Sequence, residues 1–154
     1  MGTPPAPTYA NLVFALHENT IVPKYPTHLV MYKRYIDDIF GIWHHHGTTE
    51  EDDAAWTAFK KDIGSYEGLD WVFSKRVQSL DYLDIVISIS GTRLKTTLFE
   101  KELNLYLYIP PHSAHPPGVL KGLVLGNCYR IYTLCSKPED VTALLQMFYY
   151  SLLR

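Results

Sequence analysis

Residues 29–43 read Leu-Val-Met-Tyr-Lys-Arg-Tyr-Ile-Asp-Asp-Ile-Phe-Gly-Ile-Trp, two apolar runs that flank the acidic pair Asp37-Asp38. Both runs are rich in the aromatic and β-branched residues that favour strands. The pattern predicts a tight β-hairpin with the two acids at its tip. Because side chains alternate along a strand, we expect Tyr35 and Asp37 to share one face, with Asp38 on the other face or in the turn.

Two adjacent carboxylates in an apolar hairpin are costly, since like charges repel and partial burial removes their water. A hard divalent cation resolves this conflict, because Mg²⁺ takes oxygen ligands and is usually held by one or two carboxylates plus substrate phosphates. Paired ions of this kind stabilise both the attacking and the leaving oxygen of phosphoryl transfer. The pair Asp37-Asp38 therefore suggests metal-dependent phosphoryl chemistry. The alternative, from the dipeptide alone, is a polar turn, in which Asp is common.

Four ordered segments resemble the reverse transcriptases. Tyr35-Ile36-Asp37-Asp38 resembles their Tyr-x-Asp-Asp signature, and residues 1–12 are similar to their second palm motif, a Gly-x-Pro-x-x-Pro turn that enters a helix. Residues 80–85 are similar to the Phe-Leu-Asp strand of retroelement enzymes, particularly Penelope-like and related non-viral elements. A later segment is also similar, with Tyr106-Leu107, Ser113-Ala114-His115-Pro116 and Arg130. The order and spacing match over nearly the whole chain.

The resemblance implies an RNA-directed DNA polymerase, in which a primer 3′-hydroxyl attacks the α-phosphate of a deoxynucleoside triphosphate. Asp37 and Asp38 would be the catalytic residues and the ligands of two Mg²⁺ ions, for which Mn²⁺ is a possible substitute. The implied partners are an RNA or DNA template with its primer strand, and the dNTP. An RNA-templated RNA polymerase is a more distant alternative, since its viral members usually carry Gly-Asp-Asp.

The same resemblance assigns roles to residues around the substrates. Asp81 and Asp84 would not bind metal, and Asp84 would brace a neighbouring turn. Five residues would lie near the incoming nucleotide and the template, two would support the primer, and two are possible phosphate contacts: Gly2, Pro5, Ala6, Pro7 and Tyr35; Tyr82 and Leu83; Lys95 and Arg130. The basic residues near the later strands can equally form an ordinary charged sheet face, and these are Lys75, Arg76, Arg93, Lys95 and Lys101.

Helical spacing predicts two helices in the first half of the chain. A Pro-rich turn over residues 1–8 leads into a helix at residues 10–18, whose apolar face is formed by Leu12, Leu16 and Val13. Thr48 or Thr49 caps the next helix, and its acidic first turn is expected to face solvent. The apolar residues of that helix recur at helical spacing and predict its buried side: Trp56, Phe59, Ile63 and Tyr66.

From residue 69 the period changes to two, which predicts strands. Trp71 and Phe73 alternate with Val72; then Leu83, Ile85, Ile87 and Ile89 share a face, and Ser90-Gly91 makes a turn into a strand at residues 93–100. Two helices follow, with apolar faces formed by Leu120, Leu123, Val124, Asn127, Ile131 and Leu134, and by Val141, Leu144, Leu145, Phe148 and Leu152. Ser136-Lys137-Pro138-Glu139 resembles a capping box that starts the second of them.

These elements predict an α+β protein. Residues 1–101 would form a partial polymerase palm, with an antiparallel sheet and packed helices, and residues 102–154 a connector and the start of a helical thumb. The resemblance places the fingers and the first palm motif, which supplies a third metal-binding Asp, before Met1, so we expect them to be missing. The alternative function is therefore a catalytically inactive retroelement remnant, or a nucleic-acid-binding module.

Composition bounds these hypotheses. The chain has 154 residues, of which 47% are hydrophobic and 14% aromatic, and this composition argues against disorder. Its formal charge is −2, so the chain lacks the excess of basic residues that is typical of an electrostatic nucleic-acid binder. No run reaches the roughly 18 apolar residues of a membrane span, so we expect no membrane association and an intracellular location, nuclear or cytoplasmic. Cys128 and Cys135 are expected to be reduced, and His44, His45 and His46 to form a solvated strand end.

Overall fold

The computed structural model describes residues 5–66, 68–101, 114–116 and 118–153. Within these residues the protein is α+β, as the sequence predicted, with four α-helices and two small antiparallel sheets. The chain forms two compact units, Met1–Arg76 and Val77–Arg154. Several sequence predictions lie outside the described residues, namely those for Gly2, Tyr106, Leu107 and Ser113.

The first unit combines two helices with a β-hairpin. Helix α1 (Ala6–Ile21) is followed by a 3₁₀ turn (Val22–Lys24), strands β1 (Leu29–Tyr35) and β2 (Asp38–Trp43), and helix α2 (Thr49–Ile63). The core consists of three buried residues and a surrounding set of mostly aromatic side chains: Ile21, Phe59 and Ile63, with Tyr25, Leu29, Tyr32, Trp43, Trp56, Trp71 and Phe73 around them. Aromatic rings of this size bury large areas, so they supply most of the apolar contact in a small unit.

Residues 71–77 do not pair as a strand. The predicted alternation of inward and outward side chains is nevertheless present at residues 71–73. Trp71 and Phe73 pack against the core, while Val72 between them is 95% exposed. Residues 71–73 therefore place Trp71 and Phe73 on the core, whereas residues 74–77 are exposed.

Helix α1 begins earlier than the sequence predicted. It starts at Ala6, with Pro7 in its first turn. Pro is tolerated there because its fixed φ suits a helix and the first N–H groups of a helix have no intrahelical partner. The predicted rigid turn before residue 10 is thus the first turn of the helix itself.

The apolar face predicted for α1 was wrong, because the helix buries its opposite side. Leu12 and Leu16 are 61% and 72% exposed, whereas Phe14, Glu18 and Ile21 are buried. A carboxylate is rarely buried unless it is paired, so the burial of Glu18 depends on a partner elsewhere in the unit.

Helix α2 starts with a capping box, which confirms the prediction that Thr48 caps it. The Thr48 hydroxyl accepts a hydrogen bond from the Glu51 N–H, and the Glu51 carboxylate accepts one from the Thr48 N–H. Glu50, Glu51 and Asp53 are exposed as predicted. Asp52 is not, since it is 1% exposed.

The second unit contains a three-stranded antiparallel sheet and two helices. The strands are β3 (Ser79–Tyr82), β4 (Ile85–Ser90) and β5 (Arg93–Leu98), in that order, and the helices are α3 (Val119–Leu134) and α4 (Pro138–Leu152). Leu80 lies opposite Ile87, and Ile87 opposite Thr96, so these three residues share one face. Ile87 is buried there, and Ile131 and Phe148 are the buried residues of the two helices.

Two local predictions in this unit were wrong. Tyr82-Leu83-Asp84 is not one strand, because β3 ends at Tyr82 and β4 begins at Ile85, which leaves Leu83-Asp84 as a two-residue hairpin turn. Ser136 does not cap α4. Its hydroxyl instead accepts a hydrogen bond from the Thr96 N–H, and its own N–H donates to the Thr96 carbonyl, so it fastens the α3–α4 connection to β5.

Candidate metal-binding hairpin

The two adjacent acids lie at the tip of the β1–β2 hairpin, as the sequence predicted. Tyr35 pairs with Asp38, so Ile36 and Asp37 form a two-residue turn. Asp37 therefore lies in the turn, and Asp38 is the first residue of β2; both are exposed. The predicted faces were wrong, because directly paired residues share a face and Tyr35 is thus on the side of Asp38.

The turn has an unusual backbone conformation at Ile36, whose φ is 55°. A positive φ is a genuine outlier for a β-branched residue, and the corresponding position of a two-residue hairpin turn usually carries Gly, Asn or Asp. Such a conformation costs about 1–3 kcal/mol and persists only where its surroundings hold it. The exposed tip is therefore strained, and it needs a stabilising contact.

Arg34 provides that contact. Its Nη1 donates a hydrogen bond to the Ile36 carbonyl at 3.0 Å and another to Asn11 Oδ1 at 2.6 Å. Its Nε and Nη2 donate to the two carboxylate oxygens of Glu18 at 2.6 and 3.1 Å, a bidentate ion pair. A hydrogen bond from a charged donor contributes about 1.5–3 kcal/mol, which is comparable with the cost of the Ile36 conformation.

The Arg34–Glu18 pair is largely removed from water. The side chains are 9% and 11% exposed, respectively. The Tyr32 hydroxyl also donates to Glu18 Oε1 at 2.7 Å, and the Phe14 ring lies 5.1 Å from the Arg34 guanidinium carbon. Because Tyr32 and Arg34 are two residues apart on β1, both face α1. The pair thus explains how Glu18 is buried.

Sequence reasoning missed Glu18, Asn11 and Arg34, although a signal was present. Asn11, Phe14 and Glu18 recur at i, i+3 and i+7, which places them along one side of a helix. The predicted strand carried Tyr32 and Arg34 on a single face. Pairing the polar residues Asn11 and Glu18 of the helix with Tyr32 and Arg34 of the strand would have predicted the contact.

The start of α1 is connected to the hairpin tip through the same arginine. Arg34 Nη2 donates to the Asn11 carbonyl at 3.2 Å, in addition to the bond to the Asn11 side chain. Of the residues predicted to lie near nucleotide and template, Pro5, Ala6, Pro7 and Tyr35 are described and exposed, with Pro5 at the N-cap and Ala6 and Pro7 in the first turn. The segment that resembles a second palm motif and the Asp-Asp hairpin are therefore linked by direct hydrogen bonds within one unit.

The donor atoms at the tip suit a hard cation. Asp37 and Asp38 offer carboxylate oxygens, which Mg²⁺ and Mn²⁺ prefer, and the protein commonly supplies only one or two carboxylates to Mg²⁺ while waters and phosphates complete the shell. No group of three or more His, Cys, Asp or Glu residues in the described part of the chain is arranged to hold a metal. The two carboxylates at the tip are the kind of ligand that Mg²⁺ takes, and Mg²⁺ binding there stays a prediction.

A buried acid supports the base of the hairpin. Asp52 Oδ1 accepts hydrogen bonds from Trp43 Nε1 at 3.0 Å and from the His46 N–H at 3.4 Å, and Arg76 pairs with its other oxygen. Burial alone would raise the pKa of the Asp52 carboxyl, but the hydrogen bonds from Arg76, Trp43 and His46 outweigh it and lower the pKa to about 2. Asp52 is thus an ionised anchor for the segment that follows β2.

The remaining predicted site residues belong to the second unit. Tyr82 ends β3, and Leu83 follows it in the turn with a φ of 54°. This turn repeats the pattern of the first hairpin, in which a Tyr ends the strand, an apolar residue has a positive φ and an Asp follows. The Asp84 carbonyl accepts a hydrogen bond from the Phe99 N–H at 2.8 Å, next to the pairing of β4 with β5, and a bracing role for its side chain stays a prediction.

The two possible phosphate contacts are both engaged in ion pairs within the second unit. Lys95 Nζ lies 3.0 Å from Asp140 Oδ2, and Arg130 Nη2 lies 2.9 Å from Asp84 Oδ2. The Asp84–Arg130 pair is exposed, so its net stabilisation is small. A role in phosphate binding for either residue stays a prediction.

None of the four helices in the described residues is long and apolar enough to cross a membrane. Comparisons of the chain with protein-family models, with curated proteins and with solved structures found no match.

Proposed function

We propose that this chain contains the catalytic hairpin of an RNA-directed DNA polymerase from a non-viral retroelement. The observation that carries the proposal is the position of Asp37 and Asp38, adjacent and exposed at the tip of a tight hairpin whose turn is held by Arg34. The Tyr-x-Asp-Asp resemblance and the bonded contact between α1 and the hairpin support it. An intracellular location is part of the proposal, because template and dNTP are found there.

The proposed reaction is nucleotidyl transfer. The primer 3′-hydroxyl attacks the α-phosphate of the dNTP, a new phosphodiester forms and pyrophosphate leaves. Bound Mg²⁺ or Mn²⁺ would neutralise the charge that develops on the phosphate oxygens. Asp37 is the main ligand in this scheme and Asp38 assists, while Tyr35, on the same face as Asp38, lies near the primer end. Positioning and charge neutralisation supply most of the catalysis.

The test is RNA-templated extension of a DNA primer by the 154-residue chain with Mg²⁺ and, in parallel, Mn²⁺. Asp37→Asn removes the proposed main ligand, and Asp81→Asn is the matched control, since Asp81 is an exposed Asp on β3 with no proposed role. If the two tip carboxylates suffice for catalysis by this chain, the wild type and Asp81→Asn extend the primer in a metal-dependent way and Asp37→Asn does not. Folded protein that gives no extension in any variant would contradict catalysis by this chain.

A metal-binding remnant without catalysis is the second candidate. The observation that favours it is the number of ligands, because the tip supplies two carboxylates and the described part of the chain holds no group of three or more His, Cys, Asp or Glu residues arranged around a metal. Metal binding at the tip without any primer extension would support this candidate. Primer extension that is lost in Asp37→Asn would exclude it.

A further inference from the structure

We propose that Arg34 is a positioning residue, which sets the conformation of the Ile36-Asp37 turn and thereby the relative placement of the two tip carboxylates. Glu18 and Asn11 hold the guanidinium where it can do this. The inference rests on the proposed function, because the importance of the turn comes from the metal that Asp37 and Asp38 would bind.

The contacts of the Arg34 guanidinium hold one of its N–H donors at the turn. A guanidinium is a planar fork with five N–H donors, and in this protein Nε and Nη2 are fixed by the Glu18 carboxylate. Nη1 is fixed by Asn11 Oδ1 and donates to the Ile36 carbonyl. Because Glu18 is buried and Asn11 belongs to the same helix, the donor that reaches the turn is held by α1. A lysine is a single point charge on a flexible stem and cannot make these contacts together.

The hydrogen bond from Arg34 acts on the backbone of the turn at Ile36. Ile36 has a φ of 55°, which a free isoleucine avoids, and its carbonyl belongs to the peptide group that joins it to Asp37. The hydrogen bond from Arg34 therefore fixes the plane of the peptide that orients Asp37. Without it, we expect Ile36 to relax to a negative φ. That change rotates the peptide group and moves the Asp37 carboxylate away from Asp38, which is fixed at the start of β2 by its pairing with Tyr35.

A purely structural role makes a different prediction. If Arg34 only joins α1 to β1, replacing it lowers the stability of the first unit but leaves the turn and its metal affinity unchanged in the molecules that remain folded. If Arg34 positions the turn, metal affinity falls in folded protein. A residue that tolerates a positive φ at position 36 would then restore the affinity, while the stability supplied by the Arg34–Glu18 ion pair stays lost.

The experiment measures Mn²⁺ affinity at the tip, from the broadening of the Asp37 and Asp38 amide signals, together with the unfolding temperature. The variants are Arg34→Lys, the double variant Arg34→Lys with Ile36→Asn, and Arg93→Lys as the control, because Arg93 is an exposed arginine at the start of β5. Arg34→Lys is expected to weaken Mn²⁺ binding by about 10- to 100-fold, as outer-shell changes typically do. Asn tolerates a positive φ, so the double variant is expected to regain most of the affinity while its unfolding temperature stays low.

Two results would overturn the positioning role. Folded Arg34→Lys protein with wild-type Mn²⁺ affinity would refute it and leave the proposed function intact. If the wild type itself binds no Mn²⁺ at the tip, the proposed function fails. The backbone chemical shifts of Ile36 then decide the role of Arg34 in the turn, because shifts that are unchanged in Arg34→Lys would refute it as well.

A milder variant keeps the proposal testable if Arg34→Lys does not fold. Asn11→Ala leaves the Arg34–Glu18 pair in place and removes only the side-chain acceptor that steers Nη1. It is expected to weaken Mn²⁺ binding less than Arg34→Lys and to shift the Ile36 amide signal. No change in either quantity would count against the positioning role.

Discussion

Replacing Glu18 with Ala removes the acceptor of three hydrogen bonds at once, two from Arg34 and one from the Tyr32 hydroxyl. The Arg34 guanidinium then keeps its burial but loses its counter-charge. Removing one partner of a buried ion pair costs about 3–5 kcal/mol, because the remaining charge has no compensation. Small domains have a total stability of about 5–15 kcal/mol, so the first unit is expected to lose a large share of it.

Fluorescence measures this loss in the relevant unit. All three tryptophans of the chain, Trp43, Trp56 and Trp71, lie in the first unit, so thermal unfolding followed by tryptophan emission reports on that unit. At about 4–8 °C per kcal/mol for a unit of this size, the expected shift in unfolding temperature is roughly 12 °C or more.

Glu50→Ala is the matched control. Glu50 is an exposed Glu in the first turn of α2, where its removal costs only its favourable interaction with the helix dipole, about 0.3–1 kcal/mol. If Glu18→Ala is no more destabilising than Glu50→Ala, then the Arg34–Glu18 pair does not hold α1 to the hairpin. Pairing with Arg34 would then not be the reason that α1 buries its Glu18 side.

Three further outcomes test other parts of the first unit. The folded pKa of the Asp52 carboxyl is about 2 and lies below its unfolded value, so the stabilisation it supplies is complete above about pH 4 and is lost as the pH falls through about 2. Asp52→Asn is therefore expected to flatten the fall in unfolding temperature between these pH values, and an unchanged pH profile would contradict this. Thr48→Ala removes the cap of α2 and is expected to cost about 0.5–2 kcal/mol in urea unfolding. Ile63→Ala opens a cavity in the core beside Phe59 and is expected to cost about 2–5 kcal/mol, and a loss below that of Thr48→Ala would argue against a core centred on Ile63 and Phe59.

The hairpin and the helices followed from local patterns in the sequence. The aromatic and β-branched runs in residues 29–43 and the helical spacing around Phe59 are properties of neighbouring residues, and the structure confirms the two strands and the helix that they predicted. Which residues form the two hairpin turns could not be predicted from such patterns. Ile36 and Leu83 have positive φ values, which apolar side chains disfavour, so nothing in their residue type marks them as turn residues.

The burial of the Glu18 and Asp52 carboxylates could not be predicted from a local pattern either. Glu18 and Asp52 are buried because Arg34 and Arg76 pair with them from 16 and 24 residues away. Helical spacing therefore favoured Leu12 and Leu16 as the inner face of α1, and it placed Asp52 in solvent with its acidic neighbours. A rule that buries apolar residues first fails wherever an arginine from another element compensates a carboxylate.

The most direct test of the central claim is an Mn²⁺ titration of the isotope-labelled chain followed by amide NMR. Selective broadening of the signals of Tyr35, Ile36, Asp37 and Asp38 is the predicted result, and the broadening should disappear when Asp37 and Asp38 are both replaced by Asn. Broadening that spares the hairpin, or that persists there in the double variant, would contradict a metal-binding tip and with it the polymerase function proposed for this chain.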